Sequence, residues 1–168
     1  MKKYLYSFAM FTVLTVCQAF ADHLKTNEWG AVTNNFQMSI NFKGEKNGIK
    51  TNQPLCLLIY YKNVSTNQTF RVYRANAIEC DPGYSFVVIS PSGKDISSNT
   101  EKITPSESGG FVSMVPNQII ECEFNLSRLY KFDEIGTYNI IVKKAIWSPK
   151  SQKVFTVISN PLNVVVSN

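Results

Sequence analysis

The chain has 168 residues, 44% apolar and 12% aromatic, with 17% charged and a formal net charge of +5. This composition excludes a disordered tail, a collagen-like repeat and a coiled coil, each of which demands a very different balance of residues. The charge is too mild to argue for nucleic acid or an anionic membrane, the more so because Lys2 and Lys3 supply part of it.

Those two lysines precede an apolar run over residues 4–16, and Ala19-Phe20-Ala21 places small residues where a signal peptidase reads. Residues 1–21 therefore read as a secretory signal peptide, and residues 22–168 as one domain exported to the periplasm or beyond the cell. Cys17 offers a second route, anchoring through a lipid. That processing wants a small residue where Val16 stands, so soluble export is preferred. No later apolar run approaches the ~20 residues of a membrane-spanning helix.

Past residue 22 the apolar period is two. Phe36, Met38, Ile40 and Phe42 alternate with Gln37, Ser39 and Asn41, predicting a first strand that ends in a polar loop over residues 43–52. Residues 54–62 are the most apolar stretch and predict a central strand covered on both faces. Strands follow at 69–74 and 84–90, the second closed by Pro91-Ser92-Gly93-Lys94, whose proline and glycine suit a tight reversal. Residues 95–110 read as a long connection with one short edge strand at 101–103. Strands at 111–115 and 118–126 turn at Pro116-Asn117, and Ser127 is placed to cap a helical turn over 127–132. Residues 137–144 and 153–157 predict a strand pair whose loop, 145–151, carries Trp147, and a β-branched strand at 162–166 follows. The spacing predicts an all-β, antiparallel sandwich of roughly seven to nine strands.

The segment Asp133-Glu134-Ile135-Gly136-Thr137-Tyr138-Asn139-Ile140 resembles the corner of immunoglobulin-like sandwiches, where an acidic residue, a glycine and a tyrosine precede the penultimate strand. The resemblance implies an immunoglobulin-like fold with Tyr138, Gly136 and Asp133 as its structural corner. The Tyr138 ring would lie inside, its hydroxyl bonded to backbone a few residues upstream. Ile140 stands where antibody domains carry their second cysteine, so the likeness is to the wider superfamily. A looser likeness covers about residues 54–143. There Leu57, Ile59, Tyr61 and Asn63, residues 86–93, and Leu126-Ser127 with Tyr130, Phe132, Gly136 and Tyr138 are similar to the small sandwich domains found beside secreted metalloendopeptidases of the deuterolysin type. That likeness implies an accessory or inhibitor-like role, since the single histidine, His23, cannot supply a His-Glu-x-x-His zinc helix.

Export puts Cys56, Cys80 and Cys122 where disulfides persist. Cys122 shares the phase of Ile120, Phe124 and Leu126 on an apolar face, Cys56 is out of phase with Leu55, Leu57 and Ile59, and Cys80 lies in a turn-rich stretch. A Cys56–Cys80 bridge is preferred among the pairings open to them. Glu121 and Glu123 sit side by side on the solvent face of a strand, and Gly109-Gly110 has neither the lysine nor the helix start of a phosphate cradle. The expectation is therefore a domain without catalytic residues, metal ligands or cofactor, acting by binding. Trp29, Tyr60, Tyr73, Tyr130 and above all Trp147 are the aromatics open to contact. Trp147, with Lys143, Lys150 and Lys153 around it, is expected to touch a protein at or beyond the envelope, because loops at one end of such sandwiches carry recognition. A secreted peptidase is the competing target. Asn63-Val64-Ser65, Asn67-Gln68-Thr69 and Asn125-Leu126-Ser127 match the glycosylation acceptor pattern and are read as chance, since the leader looks bacterial. N-terminal sequencing of the exported chain is expected to begin Asp22-His23-Leu24; a start at Cys17 would establish lipid anchoring in its place.

Overall fold

Alternation decides which face of each strand turns inward. In β1 (Phe36–Phe42), Phe36, Met38 and Ile40 are fully buried; in β3 (Cys56–Asn63), Leu57 and Ile59 answer them across an antiparallel register that sets Ile40 opposite Ile59. The computed structural model describes residues 28–44, 48–75, 83–98, 109–148 and 153–168. Over these residues the chain is almost entirely sheet, and no helix is long and apolar enough to cross a membrane. The remaining strands are β2 (Ile49–Lys50), β4 (Phe70–Ala75), β5 (Tyr84–Ile89), β6 (Gly109–Met114), β7 (Ile119–Asn125), β8 (Gly136–Ser148), β9 (Lys153–Ile158) and β10 (Leu162–Ser167).

One sheet has the order β1-β3-β7. A second runs β2-β10-β8-β5, with β9 also paired to β8, and β4 with β6 makes a separate ribbon. The apolar stretch over residues 54–62 is thus the central strand of its sheet. β2 falls where the sequence reads a polar loop, and it pairs parallel to β10, so the fold departs from a purely antiparallel sandwich. The expected edge strand at 101–103 lies outside the described residues. Aromatic rings join the two large sheets: Phe86 of β5 stacks on Phe124 of β7 at 4.7 Å, and Phe36 of β1 on Phe155 of β9 at 5.9 Å. Burying a side chain of this size contributes about 1.5–3 kcal/mol.

Both sheets are interrupted, and the interruptions set the shape of one end. β3 pairs with β7 as far as Lys62 opposite Ile119, and pairing resumes as Phe70 of β4 opposite Met114 of β6. Between these registers Asn63 is fully buried and satisfies three backbone groups: its Nδ2 donates to the carbonyls of Gln68 (2.8 Å) and Met114 (3.0 Å), and its Oδ1 accepts the Ser65 N–H at 2.9 Å. The nitrogen that a glycan would need is therefore already engaged. Asn117, with a left-handed φ of 63°, turns the opposite strand and donates its N–H to the Asn63 carbonyl at 2.9 Å. An asparagine can hold such a turn because its short side chain tolerates positive φ.

The second sheet breaks at a bulge. β9 meets β8 through Ile158 opposite Lys143, and β10 meets it through Leu162 opposite Ile140, so Ile141 and Val142 face Ser159, Asn160 and Pro161. The extra residue flips the phase: Phe155 and Val157 point inward before it, Val164 and Val166 after it. Polar side chains satisfy what the bulge leaves over. Ser159 Oγ accepts the Val142 N–H at 3.0 Å, and Asn160 Oδ1 accepts the Ile40 N–H of β1 at 2.8 Å. The approach to β1 is held equally closely. Gly30 donates its N–H to the Met38 carbonyl, and a Cβ there would collide with the carbonyl of Ile158.

At the other end Tyr138 is buried, and its hydroxyl accepts the Glu134 N–H at 2.9 Å while its ring meets Phe132 edge-on at 5.1 Å. Gly136 has a φ of 134°, and a Cβ on it would meet the Pro91 ring at 2.8 Å, so both its conformation and its neighbour require glycine. Asp133 is exposed. The helical turn is a 3₁₀ turn, Leu126–Arg128, and its cap is Asn125, whose side chain accepts the Ser127 N–H; the expected cap, Ser127, uses its hydroxyl to hold the Leu55 N–H. Replacing Asn63 by alanine orphans three backbone groups and is expected to lower stability by about 2–3 kcal/mol, read as a reduced urea midpoint at unchanged slope.

Candidate binding groove

The interruptions at Asn63 and at Ser159–Asn160 leave two ribbons standing beyond the sandwich, β4 with β6 and the distal part of β8 with β9. Trp147 was expected in a loop. β8 instead continues to Ser148, so Trp147 lies on a strand opposite Val154, with its backbone fixed by cross-strand pairing. Strand alternation turns Ala145, Trp147, Val154, Thr156 and Ile158 outward, and all five are exposed. On the other ribbon Tyr73 stands opposite Phe111, and the two rings meet edge-on at 5.8 Å.

Between the ribbons runs a groove of about 320 Å³. One wall is Arg71, Tyr73 and Phe111; the other is Ala145, Trp147 and Val154; the buried residues Val72, Lys144 and Ile146 form the floor. Trp147 is 53% exposed, Phe111 57% and Val154 64%, a clustering of large apolar side chains that water does not favour. Two cations are built into this surface. The Arg71 guanidinium lies 5.4 Å from the centre of the Phe111 ring, and the Lys144 ammonium, on a residue only 5% exposed, lies 4.1 Å from the centre of the Tyr84 ring. Behind Tyr84 the Tyr61 ring stacks on Phe36 at 4.9 Å, and its buried hydroxyl has no hydrogen-bond partner among the described residues. Burial, and then the neighbouring Tyr84 phenol, push the Tyr61 pKa far above the ordinary tyrosine value, so it is a neutral phenol at any physiological pH.

Of the residues singled out in the sequence, Trp147 and Tyr73 come together in this groove. Lys143 and Lys153 lie on the same hairpin, but the lysine at the groove is Lys144; Lys150 lies outside the described residues. Tyr60 and Tyr130 are buried and are not surface contacts. Trp29 sits beside Lys62, whose ammonium is 5.8 Å from its ring centre, and does not line the groove. Sequence reasoning missed Phe111, Val154 and Arg71. The signal available for them was alternation, which puts Arg71 and Tyr73 on one face, but the pairing of Tyr73 with Phe111 is not local.

No family model matches the chain, and a search of curated proteins returns no match. Among solved structures, the X-ray structure of Northeast Structural Genomics Consortium target SoR45 aligns with a TM-score of 0.46 at 11% identity, over 81% of this chain and 90% of that one.

The cysteines can be placed by the same alternation. Cys122 stands opposite the buried Ile59, so it faces the interior and packs against the core, whereas Cys56 belongs to the outward phase of β3 with Leu58 and Tyr60. Among the described residues no disulfide joins Cys56 to Cys122, and Cys80 lies outside the described residues. A bridge between Cys56 and Cys122 would have to pass through the sheet. Oxidative refolding is expected to give no Cys56–Cys122 crosslink in the peptide map; finding that link would show that the register of β3 on β7 is wrong.

Proposed function

We propose that this chain is an exported binding module that holds a protein partner at or beyond the cell envelope through the groove between its two ribbons, acting by recognition and not by catalysis. The observation that carries this reading is the convergence of Trp147, Val154, Phe111 and Tyr73 from two independently anchored ribbons onto one exposed surface. Rigid aromatic rings lose little entropy when they are covered, and clustered aromatics with an adjacent arginine are what the energetic centre of a protein interface is made of. The export part of the proposal rests on the basic start, the apolar run and Ala19-Phe20-Ala21. An immunoglobulin-like assignment is favoured by the bond from the Glu134 N–H to the Tyr138 hydroxyl, the arrangement that pins the corner in that superfamily.

Affinity capture from an envelope and secreted-protein fraction tests the reading. A partner retained by the unaltered protein is expected to be weakened about thirtyfold by Trp147→Ala, as for an interface hot spot, and unaffected by Trp29→Ala. Equal retention by the Trp147 variant would overturn the groove as the binding surface.

A further inference from the structure

We infer that the outer face of the second sheet is the contact through which two copies of this chain pair about a twofold axis; this goes beyond the groove and does not depend on it. Register fixes which side chains stand on that face. Tyr138, Ile140 and Val142 of β8 turn into the core, so Ile141 and Lys143 turn outward. Val87 of β5 stands opposite Ile141, Ile158 of β9 opposite Lys143, and Val165 of β10 opposite Thr137, which puts all of them on the same side. Val165 is 46% exposed and Ile158 44%, while Val87 and Ile141 are half-buried among their neighbours. Branched apolar side chains from four adjacent strands therefore make one surface that faces water.

The two outer faces of the molecule differ in charge. Alternation puts Lys62, Glu121 and Glu123 on the outer face of the β1-β3-β7 sheet, where Lys43 pairs with Glu123. On the second sheet the outward positions of β5, β9, β10 and β8 as far as Ala145 carry one charge, Lys143, and no carboxylate. The polar amides there are already satisfied within the face, since Asn139 Nδ2 donates to Asn163 Oδ1 at 2.9 Å, so covering them orphans little. A charged partner finds almost nothing here to pair with. A second copy brings the same bare surface and opposes it only with its own Lys143, whose stem is long enough to carry the ammonium to the rim. Strand rise and spacing give the face from Thr137 to Ala145 a footprint of about 26 Å by about 14 Å. With side-chain relief, two facing copies cover about 1,000 Å², which reaches the lower bound of a specific interface and falls well short of an obligate one. The sheets then pack about 10 Å apart as in a sandwich, and the dimer is reversible.

The test is analytical ultracentrifugation of the exported chain over about 1–200 μM. A monomer–dimer equilibrium is expected, with a dissociation constant of about 10 μM, as suits an interface at the small end of the specific range. Ile158→Lys combined with Val165→Lys is expected to weaken the dimer about thirtyfold or more, its circular dichroism matching the parent's; should that pair fail to fold, Val165→Lys alone is held to a tenfold weakening. Val32→Lys combined with Ile135→Lys, at exposed apolar positions off this face, is expected to leave the dimer unchanged. Raising salt from about 50 mM to about 500 mM is expected to leave the dimer equally tight or tighter, because its attraction is apolar. A monomer throughout the concentration range overturns the inference. So does a dimer that survives the Ile158 and Val165 changes, that the Val32 and Ile135 changes dissolve as readily, or that added salt dissolves. Mass growing beyond two copies overturns the twofold arrangement. None of these outcomes bears on the groove, which stands or falls on capture by the Trp147→Ala variant.

Discussion

Asn63 is the residue on which the arrangement of the molecule turns. A two-stranded pair cannot simply stop inside a protein, because each interrupted strand leaves amide and carbonyl groups that are expensive to bury unpaired. Asn63 replaces the missing ladder with its own amide, reaching Gln68, Ser65 and Met114 from a position without solvent contact. Asn160 has the corresponding task in the facing sheet, where it bonds the Ile40 N–H beside the bulge. Two buried asparagines thus permit both sheets to break at one end, and the groove lies where the broken pieces separate. A valine at either place would fit the apolar core better and leave the ribbons without a fixed starting point.

Much of this was visible in the sequence because alternation is a local property. Phe36, Met38 and Ile40, or Ile120, Cys122 and Phe124, declare their inward face without reference to anything else in the chain. The errors have equally local causes. Polarity alone ends the strand near Lys144 and puts Trp147 in a loop, yet β8 continues, since Lys144 itself takes an inward position and covers its ammonium with the Tyr84 ring. A charged side chain in a buried phase looks like the end of a strand when only polarity is read. The phase change between Val157 and Val164 was also invisible, because a bulge announces itself only when the partner strand is known.

The groove was half legible for the same reason. Trp147 and Tyr73 stood out as single aromatics, but Phe111 and Arg71 acquire meaning only through the register of β4 on β6, which joins residues far apart in the chain. What surrounds Trp147 is consequently different from the solvated lysine cluster that the sequence suggests. One lysine is drawn into the interior, two others stay on the hairpin outside the groove, and an arginine from another strand provides the exposed positive charge.

The parallel pairing of β2 with β10 has a temporal consequence. Thr51 receives its backbone partner from Ser167, and β10 is itself flanked by β2 on one side and β8 on the other. The second sheet therefore cannot close until β10 is present; Ile49 must wait, its apolar side chain uncovered, for Val166 to arrive. Contacts this distant along the chain slow folding, and they keep the sheet open until its last strand arrives.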